Sequence, residues 1–288
     1  MMQPKRLRRW AVGLTSALAL VSGCRTTANP PPDRPNTYLP AAATPAVAQT
    51  PPGKHAIRVS QYVFQSDFPI DADAPILHEL SDLRETVYRQ LRLPSANTLI
   101  QVYVFENRER YEKFMQTRYP ELPRRRAFFI AQPRAVGAND DLLVYTFWGD
   151  HIRQDLRHEL THALLHCVLK DVPLWLDEGL AEYYELPPEQ RGINAQHIAT
   201  LKANFTPDLS RLEQMNQVAQ MAPAEYREAW AWVHWMLHSS EASQQALLSY
   251  LQQLRATATP GLLQPRLAAV TDNPNLALAH HLAALESQ

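Results

Sequence analysis

Glycine and cysteine are scarce: eight and two in 288 residues. Collagen needs glycine at every third position, so this chain is not one. Two cysteines cannot staple a disulfide scaffold. Excess charge of either sign is also lacking. The 28 basic and 29 acidic residues leave a net charge of −1, which gives no electrostatic footprint for nucleic acid. No internal repeat is visible. What remains is ordinary globular composition, 45% hydrophobic and 20% charged, which excludes a wholly disordered chain and a coiled-coil rod. The length allows one large domain or two small ones with a sizeable core. Proline, by contrast, is plentiful at 23 residues, and its placement is uneven.

The N-terminus is a leader rather than fold. Lys5, Arg6, Arg8 and Arg9 precede the apolar run Trp10–Val21, which is too short for a permanent bilayer-spanning helix. The run ends in Leu20-Val21-Ser22-Gly23-Cys24, which resembles the bacterial lipobox, with Cys24 as the residue to be acylated. Multiple acyl chains anchor stably where one would not. Arg25 stands where an inner-membrane retention signal would carry Asp, so the resemblance implies a lipid anchor in the outer membrane, facing the periplasm. Removing residues 1–23 takes the net charge from −1 to −5. Eight prolines then fall between Thr26 and Gly53. Proline fixes φ and removes a donor, so residues 24–54 read as a tether with no core of their own. Residues 55–288 are expected to form one domain, with a sheet lobe over about 55–150 and a helical lobe over about 151–288.

Within that domain, β-branched and aromatic alternation predicts a strand at His55–Gln65, and Thr98–Phe105, Arg126–Ala131 and Asp141–Phe147 read as further strands. A helix capped by Asp71 or Asp73 should run to Leu91, and Asn107 should cap a second. Helices follow from Asp150 to the C-terminus. This order predicts an α+β protein: a mostly antiparallel sheet lobe with helices, then a helical lobe. The helix at Ala224–Ser239 is unusually aromatic, and its tryptophans are expected to pack in the core.

The chemistry lies in His158-Glu159-Leu160-Thr161-His162. Residues four apart share one helix face, so both imidazoles can meet one Zn²⁺. Glu159 then stands beside the ion, placed to move a proton between water and a leaving amine. A third ligand is required. His166 continues the four-residue ladder, but it lies about 12 Å along the axis from His158, too far to share one ion. The metzincin pattern fails, because Leu165 and Val168 stand where it needs Gly and His. An acid on the next helix remains, and by spacing either Glu178 or Glu182 qualifies.

That helix reads Trp175-Leu176-Asp177-Glu178-Gly179-Leu180-Ala181-Glu182-Tyr183. HELTH followed by W-L-x-E-G-x-A-x-Y resembles the gluzincin metallopeptidases, the group that includes thermolysin and a large aminopeptidase family. The likeness is closest to a poorly characterised bacterial peptidase-like group with an aromatic helix after the motif. It covers residues 151–186 strongly and the helical remainder loosely. It implies a zinc endopeptidase with a gluzincin fold, Glu178 as third ligand and Glu182 orienting a ligand histidine. It also implies a distant Tyr or His that stabilises the oxyanion, for which Tyr226 is the first candidate and His234 the second. The strand before the HELTH helix would line the cleft, making Leu143–Thr146 a substrate-backbone binder. The aminopeptidase G-x-M-E-N strand, which holds the substrate amine, has no match here and argues against an exopeptidase. Cys167 reads as a buried thiol. Arg124-Arg125-Arg126 reads as a solvated loop, or as a contact to anionic lipid headgroups. The expected partners are a peptide or protein substrate and a membrane reached by the anchor, with no nucleic acid. The competing readings are a binding module on an inactive peptidase fold and an amidase acting on peptidoglycan peptides.

Overall fold

The computed structural model describes residues 50–132, 140–169, 171–203, 205–257 and 260–285. The leader, Cys24, all but the end of the tether and most of the link after Gln132 lie outside the described residues.

The first predicted strand is a hairpin, β1 (His55–Val59) and β2 (Tyr62–Ser66), closed by the antiparallel pair Val59 and Tyr62. Ser60 turns the chain with φ +55°, a left-handed conformation uncommon for a residue with a Cβ. No Asn-Gly or Asp-Gly marks this turn, which is why the segment reads as one strand. Helix α1 (Pro75–Gln90) starts at a proline, with Leu77, Leu80, Leu83 and Val87 buried along one face. Asp71 does not cap it; its carboxylate accepts from the Asp73 amide at 3.0 Å. Strand β3 (Ile100–Phe105) follows, then α2 (Arg108–Arg118), whose cap is Asn107, accepting from the Arg110 amide at 3.0 Å. Strands β4 (Ala127–Gln132) and β5 (Asp141–Phe147) complete a sheet of order β1-β2-β3-β5-β4.

This sheet is mixed, not mostly antiparallel. The β2–β3 and β3–β5 pairs are parallel, and the β1–β2 and β4–β5 pairs are antiparallel. The reason is the connections: α1 carries the chain back to the starting end of the sheet, so β3 enters in the direction of β2. A second consequence is that β5 lies inside the sheet and β4 is one of its two edges, β1 being the other.

The helical region contains α3 (Ile152–His166), α4 (Leu174–Tyr184), α5 (Ala195–Ala203), α6 (Leu209–Leu212), α7 (Pro223–His238), α8 (Glu241–Ala256), α9 (Gln264–Ala268) and α10 (Pro274–Ala284). Among the described residues no helix is long and apolar enough to cross a membrane. Helix α3 lies on the sheet, with Leu156, Leu160, Ala163 and Leu164 in the same core as Tyr62, Val102 and Val144. Strand alternation sends Phe105, Leu143 and Tyr145 to the opposite face, where α2 covers them with Phe114 and Met115. Trp230, Trp232 and Trp235 of α7 are buried, each adding on the order of 5 kcal/mol of gross hydrophobic stabilisation.

Helix α4 is squeezed between α3 and α7, and Gly179 permits it. A Cβ there would stand 2.6 Å from the carbonyl oxygen of Ala229 on α7. Arg157 of α3 is buried and donates to the carbonyls of Glu185 and Leu186, at 3.1 and 2.7 Å, tying down the end of α4. We expect Gly179→Ala to force α4 and α7 apart at a cost of about 1–3 kcal/mol. Thermal unfolding would show a loss of about 2–4 °C per kcal/mol. An unchanged melting temperature would contradict the contact.

Candidate metal centre

On α3, one helical turn brings His158 and His162 together, Nε2 to Nε2 at 3.3 Å. Glu178 of α4 presents Oε2 at 3.6 Å from the first and 3.5 Å from the second. These three donors can hold a metal ion. Glu178 Oε2 is buried and makes no hydrogen bond, an orphaned acceptor aimed at the two imidazoles.

The far nitrogens of both rings face carboxylates. Glu185 Oε2 bonds His158 Nδ1 at 2.9 Å, and Gln154 holds the other Glu185 oxygen at 2.7 Å. Asp177 Oδ2 stands 3.0 Å from His162 Nδ1. Glu182, expected in this role, bonds His197 of α5 at 2.9 Å instead. This arrangement has a local cause. Arg157 draws the last turn of α4 toward α3, which brings Glu185 to His158, while His197 takes Glu182. His166 points to Asp177 at 3.1 Å.

The charges follow from these contacts. Burial opposes the charged form of His158, but Glu178 and Glu185 outweigh it and push its pKa well up. His162 behaves alike: burial is outweighed by Asp177 and Glu178, and its pKa rises to about 10. Burial would raise the carboxyl of Glu178, yet the two imidazoles hold it down at about 2. Glu159 is half-buried and lines the open cleft, which has a volume of about 530 Å³. Burial raises its pKa against the pull of His158 and His162.

Tyr226 of α7 lines this cleft too, its hydroxyl accepting from Arg125 Nη2 at 2.9 Å. Burial, then the charge of Glu178, pushes its pKa up to about 12, so the phenol keeps its proton. His234 lies two turns further along α7, with Nδ1 2.9 Å from His281 Nε2, and is not among the residues lining the cleft. The arginine run lies in an exposed loop, as expected, and two of its members are paired. Arg125 reaches Tyr226, and Arg126 pairs with Asp155 at 2.8 Å. Arg125 carried no sequence signal beyond its place just before a strand. Leu143–Thr146 cannot bind a substrate backbone, because β5 is paired on both sides by β3 and β4. Of the sheet's two edge strands, β1 and β4, it is β4 that packs against α3 and enters the cleft at Ala127. Cys167 is half-buried and free, accepting from Gln61 at 3.6 Å, and burial pushes its thiol up to about 11.

No protein-family model matches this chain, and no curated protein matches it.

Protons occupy the histidines wherever metal does not, so metal must displace them. The raised histidine pKa values stabilise the metal-free fold fully below about pH 6.5, and His162 loses its share as pH rises through about 10. The depressed Glu178 contributes above about pH 4.5 and is lost as pH falls through about 2. Zinc affinity, measured against a competing chelator between pH 6 and 8, should therefore rise about tenfold per pH unit for each proton displaced. A flat profile would contradict the charge state assigned to the pair.

Proposed function

We propose that this protein is a zinc-dependent endopeptidase of gluzincin type, held at the bacterial cell envelope by a lipid on Cys24. The observation that carries the reading is the convergence of His158, His162 and Glu178 beside a half-buried Glu159 at a cleft. The donor set of two imidazoles and one carboxylate suits a zinc site that keeps one position open. Ligands about 2.1 Å from a tetrahedral ion stand about 3.4 Å apart. The separations of 3.3, 3.5 and 3.6 Å support that fit. Zinc, when bound, supplies Lewis-acid polarisation of the scissile carbonyl and a lowered pKa for water.

The chain's own residues do the rest. Glu159 takes the proton of the attacking water and delivers it to the departing amine. Its raised pKa suits both halves of that task. Glu185 and Asp177 fix the two imidazoles from behind, so each ring presents Nε2 to the centre. Tyr226 stabilises the oxyanion. Its oxygen accepts from Arg125, which leaves its own proton free to donate. The free edge of β4 offers backbone groups to an extended peptide.

Glu159→Gln should abolish cleavage of a peptide library, a loss of about 10²–10⁴, while metal analysis still finds zinc bound. Full activity in that variant would sink the mechanism. Tyr226→Phe should lower kcat by about 10²–10³ with little change in KM. A change in KM alone would assign Tyr226 to substrate binding. Digestion of muropeptides but no ordinary peptide would move the substrate to peptidoglycan.

A further inference from the structure

Three arginines line the cleft: Arg125, Arg126 and Arg227. The first reaches the Tyr226 hydroxyl at 2.9 Å, and the second pairs with Asp155 at 2.8 Å. Arg227 has no such partner. Its Nε is buried and makes no hydrogen bond, and no carboxylate among the described residues pairs with its guanidinium. Apart from Glu159, the acids lining the cleft are already engaged: Asp155 by Arg126, Glu182 by His197 and Glu185 by His158. Arg227 is half-buried on α7, directly after Tyr226. Pro223, one turn earlier on the same helix face, lines the cleft with it.

Resting on the peptidase reading above, we propose that Arg227 is a specificity residue that receives a carboxylate of the substrate beside the scissile bond. A guanidinium that has lost part of its water and found no protein partner is costly, and a bound carboxylate offsets that cost. The planar fork of arginine meets a carboxylate at two points, which fixes orientation as well as charge. The residue before it is the one assigned to the oxyanion, and neighbouring Cα atoms stand about 3.8 Å apart. The recognised carboxylate therefore belongs to a residue at or next to the cleaved bond. The carboxyl groups of Glu159, Glu182 and Glu185 oppose an acid elsewhere in the cleft, which confines the preference to one substrate position. An acidic side chain and a free chain end both offer the required group.

The test uses the full-length protein in detergent with zinc, and a peptide library carrying either Glu or Gln at each internal position, with free and with amidated C-termini. Mass spectrometry reads cleavage by the wild type and, separately, equilibrium binding of uncleaved peptides to Glu159→Gln. Glu should be favoured over Gln at one position by about 10–100-fold, in kcat/KM and in affinity. Arg227→Gln, alone and combined with Glu159→Gln, should bring that ratio to about one, and Arg227→Lys should restore part of it. A ratio taken within each variant is indifferent to how much of that variant folds. A preference for the free over the amidated C-terminus, lost in the same variant, would make the chain end the source of the carboxylate. Arg227-dependent binding of Glu peptides without any cleavage would keep this site and overturn the peptidase reading. Cleavage of Glu and Gln peptides alike by the wild type, or a preference that Arg227→Gln retains, would overturn this site and leave the peptidase reading standing. Peptides neither cut nor bound would overturn both.

Discussion

The centre depends on how closely α4 lies between α3 and α7. Glu178 reaches two imidazoles on a neighbouring helix only because the backbone of α4 presses against that of α7, and Gly179 supplies the missing Cβ that permits it. Arg157 secures the same helix from the other side by capping its terminal carbonyls. Cations suit the C-terminal end of a helix dipole, and this one is buried there. Contact and clamp together fix both the height and the rotation of α4. That rotation directs Glu178 and Asp177 toward the histidines of α3.

Such a cluster of buried charge is poor at holding a protein together. Taking ions out of water costs nearly as much as their mutual attraction returns. Stability comes from the shared core, where α3, α4 and α7 bury aliphatic and tryptophan side chains against the sheet. The charged centre is supported by that core and is balanced locally: Glu178 and Glu185 about His158, Asp177 and Glu178 about His162. A metal arriving at the centre meets donors already oriented from behind, so little reorganisation accompanies binding.

The cleft is assembled from distant parts of the chain. Arg125 precedes the edge strand, Glu159 sits on α3, Glu182 on α4, His197 on α5 and Tyr226 on α7. The mixed sheet matters here. Because α1 and α2 return the chain across the sheet, β5 is enclosed and β4 is left at the edge beside α3. An edge strand, and not the strand that immediately precedes the HELTH helix, therefore meets the cleft, at Ala127.

By itself, the sequence determined whatever depends on local spacing. The four-residue step from His158 to His162, the Asn107 cap, the alternation of β3 and β5 and the burial of the α7 tryptophans all follow from helix and strand periodicity. The α+β order was legible for the same reason. What only the tertiary structure decided involves long-range pairing. No local signal at Ser60 announced a hairpin, and strand direction depends on crossovers whose path lies in three dimensions. Glu178 and Glu182 both qualify by spacing until the packing of α4 turns Glu178 to the two imidazoles and leaves Glu182 to His197. Arg125 is one of three adjacent arginines until packing carries it to Tyr226. A side chain four residues away is placed by the helix repeat, whereas one about a hundred residues away is placed by what the intervening helices exclude.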